Sequence, residues 1–232
     1  MKKQDFTFII VSLIILSLFF FVKPLNNWFM DWSKAKDLRY FALAFLKFAV
    51  LATAGESIGL RISKGVYNEK GFGIIPRAIV WGVLGIGITI AMGIFAAGAY
   101  GFLSYFSIDI NPLNIVSQTF GVKLLYAFSV SVFMNLIFAP VFMTLHKVTD
   151  THILENGGTV SGLFKKIEFE RIFVGLNWKV QWSFVFKKTI PFFWIPAHTI
   201  TFMLPAEYRV LFAALLGVAL GVILSFANMK KK

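Results

Sequence analysis

The stretch AIVWGVLGIGITIAMGIFAAGAYGFL, Ala78–Leu103, runs for 26 residues without a charge. A helix rises 1.5 Å per residue and a bilayer's hydrocarbon core is about 30 Å thick, so about 20 apolar residues suffice to cross it. A helix that is apolar on every face belongs in lipid or in the centre of a large core. This stretch therefore predicts a transmembrane helix, and the remaining chain is read outward from it.

Five further blocks have a similar character. Phe6–Val22 carries no charge and is bracketed by Lys2, Lys3 and Lys23. Phe41–Leu60 is long enough but holds Lys47 and Glu56. Val122–Leu145 is a clear span. Ile190–Leu204 is short and contains Pro191 and Pro196, and Tyr208–Phe226 is a clean last span before Lys230, Lys231 and Lys232. The expected fold is an all-α, polytopic transmembrane bundle of five or six hydrophobic segments. It is read as one integral membrane domain over 1–232, with an anchor helix at 6–22 and a bundle at 41–226 whose inner loop is 146–188.

Composition agrees. Of the 232 residues, 58 % are hydrophobic and 15 % charged, and 28 are Phe. Soluble domains are roughly 45–50 % apolar even with glycine counted, so an ordinary soluble enzyme, a coiled coil and a disordered chain are all excluded. With no Cys, there is no disulfide, thiolate metal site or cysteine nucleophile. Val22-Lys23-Pro24-Leu25-Asn26 after the first block lacks a small-x-small cleavage pattern, so that block reads as a retained anchor rather than a removed signal.

The net charge of +12 is explained by topology. Nucleic-acid binding needs Lys and Arg gathered on one accessible face, whereas here they lie between apolar blocks. Six spans with the N-terminus inside place 16 of the 23 basic residues on the inner side. Lys and Arg of short loops set orientation, so both termini are expected in the cytoplasm. The Lys/Ile/Phe-rich chain without a transit segment points to a prokaryotic plasma membrane.

Two connections are amphipathic. Leu25, Trp28, Phe29 and Trp32 share one helical face, as expected of a helix lying in the interface with its tryptophans at headgroup depth. In the inner loop Phe169, Ile172, Phe173, Leu176 and Val180 have helical spacing, while Trp178, Val180, Trp182, Phe184 and Phe186 alternate like a strand. An isolated strand near lipid would leave backbone groups unpaired, which favours a helix. Asn156-Gly157-Gly158 reads as a turn and Ser161 as the following N-cap.

Small residues recur every four positions in three spans: Gly93, Ala97 and Gly101; Ala127, Ser131, Asn135 and Ala139; and Ala213, Gly217, Gly221 and Ser225. Lipid provides little hydrophobic drive between helices, so close approach along small faces supplies the contact. These ladders predict a tightly packed bundle, with a stripe-lined pore as the alternative. Glu56 lies on a face with Ala52, Gly55 and Gly59. An ionisable group inside a span costs at least ~2.5–3.5 kcal/mol and faces a bundle interior or a water-filled cavity, so Glu56 is either a pore or proton-handling group or a member of a structural ion pair. Lys47, near the outer end of its span, is expected to snorkel. Asn135 reads first as interhelical glue.

His146, Asp150 and His152 cluster in sequence, but zinc needs three or four converging ligands, and two histidines six apart do not share a helical face. No metal, cofactor or catalytic constellation is expected, and the protein is not read as an enzyme.

Trp194-Ile195-Pro196-Ala197-His198, Phe202-Met203-Leu204-Pro205-Ala206-Glu207-Tyr208-Arg209 and Leu224-Ser225-Phe226 resemble the closing signature of the Mpv-seventeen / peroxisomal-membrane-protein family. Asn135-Leu136-Ile137-Phe138-Ala139-Pro140-Val141-Phe142 looks like its Gln-x-x-Phe-Ala-Pro-x-Phe segment, and Gly55-Glu56 like its early Gly-Asp. The chain departs from the pattern where Ile195 splits Trp-Pro, at Thr201 and Met134, and at Leu220-Gly221. The resemblance covers residues 45 to 228 and is strongest after Asn135. It implies a small polytopic protein with four spans and a channel-like role for small solutes, with Phe6–Val22 as an addition.

The expected function is thus channel-like or transport-related, for small solutes or ions, with Glu56, Asn135, His198 and Arg209 as the polar candidates. The alternative is a non-transporting scaffold that binds other membrane subunits. The expected partners are the lipid bilayer, small solutes or ions and a second copy of the chain, not nucleic acid.

Overall fold

The computed structural model describes residues 3–111, 115 and 117–229, and their side chains except at residues 3, 16, 19, 20 and 220–229. Every regular element among them is helical. In order these are α1 (Lys3–Phe21), α2 (Lys23–Lys34), α3 (Leu38–Lys64), α4 (Ile74–Ser104), α5 (Phe120–Phe133), α6 (Ala139–Glu155), α7 (Val160–Leu163), α8 (Phe169–Val174), α9 (Trp178–Val180), α10 (Ile195–Met203) and α11 (Ala206–Met229). Two stretches of π-helix, Met134–Phe138 and Gln181–Trp194, join α5 to α6 and α9 to α10 without a break.

Among the described residues, three helices are long and apolar enough to cross a bilayer: Leu38–Lys64, Ile74–Ser104 and the continuous Phe120–Glu155. That is the pattern of an integral membrane protein. Five or six hydrophobic segments are read from the blocks, and three of them lie in helices that meet that length and apolarity among the described residues. Ile190–Leu204 does not form a helix of its own. It is divided between the end of a π-helical stretch and the short α10, because Pro191 supplies no N–H to a helical ladder and Leu204 breaks to an extended conformation before Pro205.

The chain divides into two compact units, residues 1–43 and 44–232. In the first, Pro24 sits in the opening turn of α2, where its missing N–H costs nothing. The rings of Trp28 and Trp32 lie 4.9 Å apart on one face of that helix. Arg39 then closes the turn after α2 by donating to both Asp31 and Asp37.

In the second unit, close approach follows the small residues, though not all of those expected. A Cβ on Gly55 would stand 2.8 Å from Val218 Cα, so α3 and α11 touch by their backbones. Gly217 lies on Ala52, and Ala213 is buried beside it. The Ala127–Ser131–Asn135–Ala139 face is fully buried and turned to α10, where Ser131 Oγ donates to Ile195 O at 2.7 Å.

Among the described residues, no neighbour packs on the Gly93–Gly101 positions of the α4 stripe. Gly93 and Ala97 are exposed, and nothing lies within 4 Å of a Cβ on Gly93 or Gly101. α4 instead meets α3 through Gly82 and Gly85, which accept the rings of Phe45 and Phe48. A bulky aromatic needs a hole as well as a flat neighbour, and spacing alone does not show which glycines provide it. Gly221 and Ser225 lie on the backbone of α11, but their side-chain positions fall outside the described set.

The inner loop corrects two local readings. The N-cap of α7 is Thr159, which accepts from Gly162 N at 3.0 Å, rather than Ser161. The apolar face Phe169 to Val180 is broken at Gly175 into α8 and α9 instead of running as one helix. Ile172 and Leu176 still pack on Val148 of α6. Gly73 and Gly158, both at positive φ, bring the α3–α4 and α6–α7 turns into backbone contact. Only residues without a Cβ can do this at that φ.

Candidate functional site

α3, α4, α6, α11 and the 181–194 stretch surround a cavity of about 490 Å³. Its walls are mostly aromatic and aliphatic, with Phe48, Phe138, Phe142, Met143 and Phe184 among them. Polar groups collect in two places.

The first is an ion cluster built by three helices. Glu56 of α3 pairs with Arg77 of α4, which also pairs with Asp150 of α6. Lys147 donates to the other Asp150 oxygen at 2.8 Å. Trp81 Nε1 donates to Glu56 at 2.9 Å, and His146 Nε2 lies 3.1 Å from the same oxygen. Arg77 is only 6 % exposed. Its Nε donates to Phe72 O at 2.7 Å, and its guanidinium lies over the Phe72 ring. Every face of the cation is thus occupied. Two carboxylates balance two cations, so the cluster is internally neutral apart from any proton on His146.

The second is a neutral corner. Asn135, in the π-helical stretch after α5, donates to Ser131 O at 2.8 Å and reaches His198 Nδ1 at 2.9 Å. His198 of α10 stacks on Trp194, with ring centroids 5.2 Å apart. Trp194 Nε1 is buried without a hydrogen-bond partner, as is Nε2 of Gln181 farther along the same wall. Inserting a residue's worth of extra turn, as π-helices do, re-aims side chains and recurs at functional sites. Here both π-helical stretches line the cavity.

Of the four polar candidates, Glu56, Asn135 and His198 line this one cavity. Arg209 does not. Its Nε donates to Leu204 O at 3.0 Å, which ties the start of α11 to the end of α10, and its guanidinium rests near the Phe202 ring. Lys47 does not reach outward as expected but is folded into the unit, 7 % exposed. The His146–Asp150–His152 group is dispersed among other partners: His146 on Glu56, Asp150 on Arg77, and His152 on Leu163 O and Asn156.

Sequence reading missed Arg77, Trp81, Gln181 and the role of Trp194. Arg77 precedes a long apolar block and looks like a loop charge. Its one available signal was the acidic residue already stranded in the neighbouring span, which requires a partner.

Comparison with known proteins returned no match to a family model, a curated protein or a solved structure.

Proposed function

We propose that this chain is a multi-pass membrane protein that passes small solutes or ions, channel-like, through the cavity of its second unit. The cavity carries this reading. A bundle whose role is only to hold neighbours together gains contact by closing such a space, because interiors otherwise pack to crystal-like density. This one keeps about 490 Å³ open, with a balanced ion cluster at one place and hydrogen-bonding side chains at another. The motif resemblance to the Mpv-seventeen / peroxisomal-membrane-protein family supports the same role. On this reading α1, the 190–204 segment and α11 join the three long apolar helices as spans, making six.

A scaffold role has one observation in its favour. The Gly93–Ala97–Gly101 face of α4 is open, and such a face accepts another transmembrane helix closely.

Solute release from sealed liposomes separates the two readings. Purified protein is expected to release small polar solutes and retain larger ones. Met143→Trp, which places an indole in the cavity, lowers that release. Liposomes no leakier than protein-free ones for every solute would reject transport and leave the scaffold.

A further inference from the structure

The π-helical 181–194 stretch has a second face besides the one that lines the cavity. With about 4.4 residues per π-helical turn, positions four, five and nine after Ser183 return to within about 50° of it. In an α-helix Phe192 would stand on the side opposite Ser183. The π-helix thus gathers Ser183, Lys187, Lys188 and Phe192 around one recess of about 450 Å³, with Phe184 completing its wall. Thr189 Oγ1 donates to Phe184 O, five residues back, at 3.2 Å, in keeping with that wider register.

The recess joins groups that want different surroundings. Lys187 and Lys188 are exposed, and among the described residues neither is in an ion pair, unlike Arg77 and Lys147. No acidic residue lines the recess, and the chain has no Asp or Glu from Arg171 to Ala206. Phe192, beside the lysines, is 80 % exposed. No further Lys, Arg, Asp or Glu follows Lys188 until Glu207. On the six-span reading the lysine pair therefore stands at headgroup level, where the 190–204 segment enters the bilayer. Exposed Trp182, one turn earlier, suits the same depth.

We infer that this recess seats an anionic phospholipid, its phosphate on the ammonium groups of Lys187 and Lys188 and an acyl chain against Phe184 and Phe192. One such molecule meets both needs, because its charge and its hydrocarbon are joined at the depth where the recess lies. Lysines beside a membrane segment are drawn to anionic lipid by the negative potential of its surface. A zwitterionic lipid carries a cation as well, and no carboxylate lines the recess to receive it. A soluble anion satisfies the lysines but brings no hydrocarbon for the phenyl rings. Phe184 also lines the cavity, so the lipid rests on the outer side of the cavity wall. The inference rests on the segment's place in the bilayer and holds whether or not the cavity passes solutes.

The test titrates the full chain, in a neutral detergent, with dioleoylphosphatidylglycerol or dioleoylphosphatidylcholine and counts bound lipid by native mass spectrometry. The first phosphatidylglycerol is expected to bind more tightly than phosphatidylcholine. Each lysine near an anionic lipid is worth about fivefold, so Lys187→Gln with Lys188→Gln should weaken that lipid by about tenfold to thirtyfold. Lys187→Arg with Lys188→Arg keeps the charge and should keep the binding. Lys165→Gln with Lys166→Gln removes the same charge from another exposed pair of the inner loop and should leave the first lipid in place. Phe192→Ala should weaken the lipid through its chain. An equal loss from both glutamine pairs would mean a diffuse field rather than a site and overturns the inference. So does equal binding of the two lipids, or displacement of the lipid by an equal concentration of glycerol phosphate, which has the anion without the chains. Selective lipid binding without solute release from liposomes would reject transport and keep the recess, whereas solute release with equal binding of both lipids would do the reverse.

Discussion

Arg77 joins three helices because it is a buried cation of α4 that meets both Glu56 of α3 and Asp150 of α6. Removing one member of a buried pair leaves the other charge uncompensated, at about 3–5 kcal/mol. Arg77→Met is therefore expected to lower the detergent melting temperature strongly, and adding Glu56→Gln with Asp150→Asn should return part of that loss. If the triple variant melts no higher than Arg77→Met, the cluster does not act as a charge-balanced unit. Glu56→Gln alone is milder, since an amide oxygen still accepts from Trp81 while Asp150 keeps Arg77 paired. On the transport reading, this variant stays folded and changes ion preference in liposomes. Ion preference identical to the parent at every pH that titrates carboxylates would reduce Glu56 to a structural ion-pair member.

At the scale of elements, the glycines divide by what they face. Gly55 rests on the backbone of α11 and Gly217 on Ala52, so bulk there pushes α3 and α11 apart. Overpacking of this kind typically costs ~1–3 kcal/mol. Gly55→Ala and Gly217→Leu should each lower the melting temperature, whereas Gly93→Leu, in open space, should not. A loss at Gly93→Leu matching that at Gly217→Leu would show that a second copy covers the α4 stripe.

For the whole molecule, the number of spans decides the position of the termini. Six spans place both inside, with the 190–204 segment crossing, whereas the four-span plan plus α1 separates them. The preponderance of basic residues on one side argues for six. A reporter active only in the cytoplasm, fused after Lys232, should therefore be active. A silent fusion, with an exported reporter active at the same place, would make 190–204 re-entrant or interfacial.

Helicity and membrane character were legible from residue order, because an uncharged run such as Ala78–Leu103 must hydrogen-bond within itself when no water is present. Glu56 was legible as a residue that needs company, since an ionisable group in a span is costly wherever it points. Its partners were not. Arg77, Trp81 and His146 lie 21 to 90 positions away, and only the crossing of α3, α4 and α6 brings them to it. Periodicity likewise identified small faces without showing which face meets a neighbour: Gly55 and Gly217 form a seam, while among the described residues nothing packs on Gly93 or Gly101. The π-helical 181–194 stretch was legible as helical but not as π, because apolar spacing does not report one extra residue per turn. Burial without partners at Trp194 and Gln181 is a property of the assembled walls alone. Local physics settles what each segment is, and only packing over long sequence distances settles which polar atoms are satisfied.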